Sequence, residues 1–413
     1  MLFLKELRRV VFSKIFILFF VAEVFMAFFT QFWSDMGSGF RNYAPPVPGG
    51  NYGMTVVDDP PTLTQEATAS LINDYVNNEY TTYPYGFIHT VHLKGSDKDK
   101  ISVILSKLTG IVDIEQYVSS SFEIEYTYDE YKQYIIPELG VLNNVSIDEF
   151  HALMTEADKI LGGGSKYSPK EIMYNFSLGP KSYEEALAEY NSLIYDDRIT
   201  NGYARLFCDY HGFFMALLPV FLVAVYLSSD KRSKAEQLIF SRSISSIKLA
   251  AARFAALVTA EMIPVLFTAI LATYRVAQFY DPAMMDMFAM FKYSFIWILP
   301  TAIAVTGIDM LLSGLLPAVA VVIIQFGAWF MMMCMGSLYE DFGVFDLVIR
   351  HNTEYDRQGF MDNITVFAQN RLFFTALGLI CTVLYVFIWK LRREGRFGES
   401  KLLSKLSLHR SET

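Results

Sequence analysis

Six apolar stretches, each near the ~20 residues that cross a bilayer as an α-helix, punctuate the chain at about 11–32, 206–227, 247–271, 293–313, 317–337 and 371–390. Polar sequence separates them very unevenly. Residues 33–205 form one long hydrophilic insertion after the first stretch, while the fourth and fifth are parted by a short turn at Pro317. Between the second and third lies Ser229 to Arg242, too polar to cross a membrane. Ser233 followed three residues later by Glu236 reads as a capping box, in which each side chain satisfies a backbone N–H of the other. Ala235, Leu238, Ile239 and Arg242 recur at spacings of three and four, which gives a helix one apolar side. The pattern predicts a short helix from Ser233 to about Ser243, lying along the membrane surface.

Composition strengthens this outline. Of the 413 residues, 53% are hydrophobic and 15% aromatic, far too apolar for an ordinary soluble chain of this length. The expected fold is mainly α: a six-span helical bundle carrying a large, mostly helical external domain with some strand. Its parts are 1–32 (N-terminus and first span), 33–205 (external domain), 206–391 (five spans, with the polar helix at about 229–246) and 392–413 (a basic tail). Lys5, Arg8 and Arg9 precede the first apolar stretch as they would in a signal peptide. That stretch is longer than a signal h-region and has no small-residue cleavage pattern before Trp33, so it is read as a retained span.

Charge placement orients the bundle. Basic residues cluster before the first span (Lys5, Arg8, Arg9, Lys14), between the second and third (Lys231, Arg232, Lys234, Arg242, Lys248, Arg253) and after the sixth (Lys390, Arg392, Arg393, Arg396, Lys401, Lys405). Six spans put these three places on one side, which the positive-inside bias makes cytoplasmic. Loop 339–370 carries Glu340, Asp341, Asp346, Glu354, Asp356 and Asp362 against only Arg350 and Arg357, as expected of the opposite side. Trp33 and Trp389 stand at span ends, where aromatic rings anchor. The expectation is a multi-pass plasma-membrane protein with both termini in the cytoplasm.

In the insertion, acidic residues outnumber basic ones about two to one. Helix signals occur at Thr64–Tyr80, Asp97–Leu108, Ser146–Leu161, Ser168–Phe176 and Ser182–Tyr195, with Ser146/Glu149 and Ser182/Glu185 as capping boxes. Runs 87–93 and 121–127 read as strands. Tyr43-Ala-Pro-Pro-Val-Pro reads as an extended linker.

Candidate chemistry is sparse. Gly162-Gly163-Gly164-Ser165-Lys166 lacks the order of a phosphate loop, in which the lysine directly follows the second glycine, and follows a helix, so it reads as a helix end and turn. The histidines are scattered, and His89 and His92 do not share a strand face. Cys208, Cys334 and Cys381 show neither disulfide nor metal spacing. The methionine run 331–335 is read as flexible packing. No catalytic set, cofactor or metal site is expected in this chain, nor a nucleic-acid partner. The costly residues are the ionisable ones inside spans: Glu23, Glu261 and Asp309. They line a pathway, pair with a base or fix packing, and Asp309 has the further option of reaching the near interface.

Taken together, this order resembles the membrane subunits of type-2 ATP-binding-cassette exporters: basic N-terminus, first span, large outer segment, second span, a polar helix with Ala235-Glu236-Gln237-Leu238, then four more spans. The Asn370-Arg371-Leu372 entry to the last span and its basic exit through Lys390–Arg396 are also similar. The resemblance covers 1–32 and 206–396. Asp230 stands for the family's acidic residue before the helix, whereas Lys234 replaces its glycine, and Ser243 or Ile244 its proline. The resemblance implies a permease subunit that exports an unidentified substrate and partners a cytoplasmic ATPase chain, which binds the ATP and magnesium. It implies a second permease subunit, identical or related, within membrane lipid. It also makes the Ser233–Ser243 helix the coupling helix, with Asp230, Ser233, Ala235, Glu236, Gln237, Leu238, Ile239 and Arg242 toward the ATPase. A mechanotransmission subunit without a transport path, a ligand-sensing receptor and a secondary transporter are the competing classes.

Overall fold

The long apolar stretches belong to one compact unit, and most of the hydrophilic insertion forms a second. In the computed structural model, residues 1–45 and 187–413 form one unit and 46–186 another. The structure describes residues 2–32, 40, 42–84, 87–121, 124–126, 132–134, 145–233, 235–335, 342–351 and 353–396. Lys234 and Trp33 lie outside them, as do the side chains of Lys231, Arg232 and Cys334.

The first apolar stretch is not one rod. Helix α1 (Leu2–Val11) ends, and Ser13 caps α2 (Lys14–Ala27) by accepting a hydrogen bond from the Phe16 N–H at 3.2 Å. A serine hydroxyl that captures a free N–H favours a fresh helix start over continuation. The result is a 67° bend between α1 and the segment Lys14–Thr30.

The insertion is a small α-rich unit. It comprises β1 (Met54–Val56), α3 (Pro60–Asn77), β2 (Tyr80–Thr82), β3 (His89–Val91), α4 (Ser96–Thr109), α5 (Ile114–Ser121), β4 (Ile124–Tyr126), β5 (Lys132–Tyr134), α6 (Ile147–Ile160), α7 (Ile172–Phe176), β6 (Leu178–Pro180) and the start of α8 (Tyr183–Asn191). The strands pair antiparallel as β1–β6, β2–β3 and β4–β5. Ile101, Leu105 and Leu108 of α4 and Phe150, Leu153, Met154 and Ala157 of α6 supply helical stripes to one core. The expected strands at 87–93 and 121–127 exist in shortened form. The expected helix at Ser168–Phe176 begins only at Ile172. The triple glycine is a turn: all three residues have positive φ, and a Cβ on Gly164 would sit 2.6 Å from the Tyr83 carbonyl. Ser146 caps α6 by accepting from the Glu149 N–H. Ser146→Ala is expected to cost about 1 kcal/mol, read as a lower urea midpoint for the insertion's unfolding with an unchanged slope.

After a π-turn at Ser192–Asp196, the remaining helices are α9 (Thr200–Met215), α10 (Pro219–Arg232), α11 (Glu236–Phe240), α12 (Ser246–Val276), α13 (Ala289–Tyr293), α14 (Leu299–Leu315), α15 (Ala318–Met335), α16 (Arg357–Asp362) and α17 (Ile364–Arg393). α9 and α10 bend by 41° at Pro219, which has no N–H to give the preceding turn. α12 runs through Pro264 without stopping, and the Thr268 hydroxyl donates to the Pro264 carbonyl at 3.0 Å.

Among the described residues, three helical segments are long and apolar enough to cross a membrane: Ser246–Val276, Pro282–Leu315 and Ile364–Arg393. The number rises to five if each bent pair is one span, and Ala318–Met333 is a shorter apolar helix. The chain is therefore compatible with a membrane protein that is mainly helical.

Contacts define two ends of this unit. At one, Arg9 and Arg253 meet Asp230, and Arg393 meets the 242–244 backbone. At the other, Tyr43 binds Glu354, Arg205 meets Asp197 and the Glu354 carbonyl, and Arg371 reaches the Trp297 carbonyl. α14 and α17 cross almost backbone to backbone midway. A Cβ on Gly307 would lie 2.1 Å from the Gly378 oxygen, and one on Gly378 would lie 2.2 Å from the Ile303 oxygen.

Candidate functional site

At the first end, Asp230 is the hub. It is almost completely buried and lies on the last turn of α10. One carboxylate oxygen accepts from Arg9 of α1 at 2.5 Å, and the other accepts from Arg253 of α12. Tyr226 of α10 donates to Glu6 of α1, and the Arg9 guanidinium lies over the Tyr226 ring. Arg253 also stacks 5.0 Å from the ring centre of Trp389 in α17. Four helices that are distant in sequence are thus tied by one carboxylate and the two arginines that neutralise it. A buried carboxylate is tolerated when paired in this way.

The expected helix at Ser233–Ser243 is corrected on two points. α10 continues to Arg232, and the Ser233 hydroxyl turns back to donate to the Ser229 carbonyl at 2.8 Å, so no capping box forms with Glu236. α11 is only Glu236–Phe240, with Ala235 as N-cap and no side-chain cap. Serine makes such a back-bond whenever the preceding turn stays helical. The capping serine is instead Ser245, which accepts from the Lys248 N–H at the start of α12.

α11 is nevertheless fastened. Glu236 lies 3.9 Å from Arg392. Arg393 donates to the carbonyls of Arg242 and Ile244, both at 2.7 Å. Phe240 packs edge-on against Trp389, and Ile239 packs against the main core. Leu238 points away, 68% exposed, and Gln237 is exposed as well. Of the residues expected to face a partner, Asp230 is buried among arginines and Ile239 turns inward. Ser233, Gln237, Leu238 and Arg242 are the exposed ones.

Deeper in the bundle the three acids of the apolar helices, Glu23, Glu261 and Asp309, converge, all fully buried. Glu23 of α2 meets the His211 Nδ1 of α9 at 3.3 Å, and the Nε2 of that ring is 3.1 Å from the Thr268 hydroxyl of α12. Glu261 of α12 accepts from the Thr306 hydroxyl of α14 through both oxygens, at 2.9 and 2.7 Å. Asp309 follows Thr306 by one turn, close enough to Glu261 for electrostatic interaction, as Glu261 is to Glu23. Asp309 sits inside α14 with no exposed surface. Among the described residues its two carboxylate oxygens and the Glu23 Oε1 have no hydrogen-bond partner. His211 was only one of several scattered histidines in the sequence. Its place inside an apolar run, like that of Glu23, was the available signal.

Asn370 and Arg371 are joints of the opposite end. The Asn370 amide donates to the Gly343 and Asp346 carbonyls, and Arg371 donates to the Trp297 carbonyl and Thr301 hydroxyl. Comparison with protein-family models, curated proteins and solved structures gives no match to this chain.

Proposed function

We propose that the chain is the permease subunit of an ATP-binding-cassette exporter, worked through α11 by a separate cytoplasmic ATPase that supplies ATP and magnesium chemistry. The observation that supports this reading most strongly is the fastening of a short exposed helix to the ends of long apolar ones. A force on Gln237 and Leu238 passes through Phe240, Glu236 and the 242–244 carbonyls to the last turn of α17. From there Trp389 hands it to Arg253 of α12, and Asp230 carries it to α10 and α1. Elements tied so closely move as a group, as a push from outside the membrane requires if it is to shift packing within. In this reading the end bearing α11 and both termini is cytoplasmic, the insertion is external, and a second permease subunit completes the path.

The test is affinity purification of the tagged full chain from its native membranes. ATP hydrolysis in the eluate is expected, carried by a second polypeptide and lost when Leu238→Arg replaces the outward side chain without reducing membrane insertion. A Leu238→Cys variant should react with an impermeant maleimide only after the cytoplasmic face is opened. Labelling from outside intact cells, or an eluate with no ATPase chain, would overturn the proposal.

A further inference from the structure

Beneath the junction at Asp230 lies chemistry that mechanical coupling does not need. Glu23, Glu261 and Asp309 come from three different helices and are completely enclosed. Among the described residues none of them meets a lysine or arginine. Three enclosed carboxylates with one imidazole between them would repel one another strongly in apolar surroundings, and an unpaired ionised carboxylate there costs far more than a hydrogen bond returns. Three carboxylate oxygens in the cluster also lack a donor: both oxygens of Asp309 and the Glu23 Oε1. Each is an acceptor waiting for a hydrogen.

The surroundings exclude the usual remedies. On α12, Arg253 is committed to Asp230 and Trp389. Of the charges of α1, Glu6 and Arg9 belong to that same junction while Lys5 and Arg8 are exposed, and the one acid of α10, Asp230, belongs to the junction too. On α9, Asp209 is paired with Arg350 at 2.8 Å. α17 presents Arg371, which is engaged by carbonyls at the far end, together with Cys381 and Tyr385, neither of which is a cation. No group of His, Cys, Asp and Glu able to hold a metal ion occurs among the described residues.

We propose that this cluster is a proton-binding site, in which Asp309 and Glu261 carry exchangeable protons and the Glu23–His211–Thr268 chain extends the path from α12 and α14 toward α2 and α9. The step is simple in its balance: a carboxylate takes a proton from hydronium to give the acid and water, and returns it when the helices part. Because α12 bears both Glu261 of the cluster and Arg253 of the Asp230 junction, uptake and release favour different packings of the bundle. The inference stands whether or not an ATPase drives the chain.

The experiment uses the purified full chain in detergent and N,N′-dicyclohexylcarbodiimide. This apolar reagent adds the O–H of a protonated carboxyl across its C=N bond. The O-acylisourea formed rearranges to a stable N-acylurea, nothing leaves, and peptide mass spectrometry finds the position. Asp309 and Glu261 are expected to be modified at mildly acidic pH ahead of surface acids, with labelling falling about tenfold per pH unit above the midpoint. Asp309→Asn should remove that adduct while Glu261 stays reactive. If the variant does not fold, the pH profile of the unaltered chain still decides. Absence of adduct on both residues in the folded chain, with labelling appearing after unfolding in acid, would overturn the site. So would labelling suppressed by sodium or lithium relative to choline at equal ionic strength, which would make it a cation site.

Discussion

Asp230→Ala is expected to be among the most damaging single changes in the chain, costing about 3–5 kcal/mol. Removing the carboxylate leaves Arg253, with only 2% of its side chain exposed, without its closest ionic partner, the nearest remaining one being Glu6 at 3.9 Å. Arg9 is 40% exposed and regains water, so the loss falls mainly on Arg253. The measurement is the thermal transition of the purified protein in detergent, followed by loss of the monodisperse peak. Asp230→Ala combined with Arg253→Met should be more stable than Asp230→Ala alone, because the stranded cation is gone. A double variant as damaged as the sum of the two single ones would show that the residues do not act as a pair.

The second large effect is expected where α14 and α17 cross. Gly307→Ala and Gly378→Ala each drive a methyl into backbone oxygen at 2.1–2.2 Å, which no side-chain rotation relieves. Overpacking of this kind costs about 1–3 kcal/mol and often more where backbone must move. Two other glycines make the comparison sharp. A Cβ on Gly314 meets only the side chains of Tyr385 and Ile388 at 3.2 and 3.3 Å, and one on Gly327 meets nothing within 4 Å. Gly314→Ala should therefore cost less, and Gly327→Ala should stabilise its helix by up to about 1 kcal/mol, since alanine is the better helix former. The order Gly327 above Gly314 above Gly307 and Gly378 in melting temperature is the expected outcome. Equal melting points for all four would mean that the helices do not approach so closely.

The sequence made the long apolar helices legible because a bilayer-length run of hydrophobic residues has few other uses. It also marked the α4 and α6 stripes of the insertion, where residues spaced by three and four all enter one core. It misread the stretch after the second run because a serine three residues before a glutamate has two outcomes. Ser233 caps a new helix if the chain has broken, and bonds backward if the old helix persists, and only packing decides which. Here Asp230 holds α10 in helical form through Arg9 and Arg253, which lie 221 positions before it and 23 after it. The buried acids were visible one at a time. That Glu23 would find His211 rather than a base, and Glu261 a threonine 45 positions on, depends on how α2, α9, α12 and α14 are rotated. Hydrophobic spacing that runs all round a helix says little about rotation. Gly307 and Gly378 carry no motif at all, since their meaning comes from the partner helix.

Pro264 lends α12 a property that its unbroken outline conceals. A proline in a helix leaves the carbonyl four residues earlier without its rung, and here that orphan belongs to Ala260, immediately before Glu261. This 31-residue helix therefore has its softest point at the level where its acid meets Thr306. Flexing concentrates at that height, so the carboxyl sits at a fulcrum, and small tilts of either arm change its distance from α14 first.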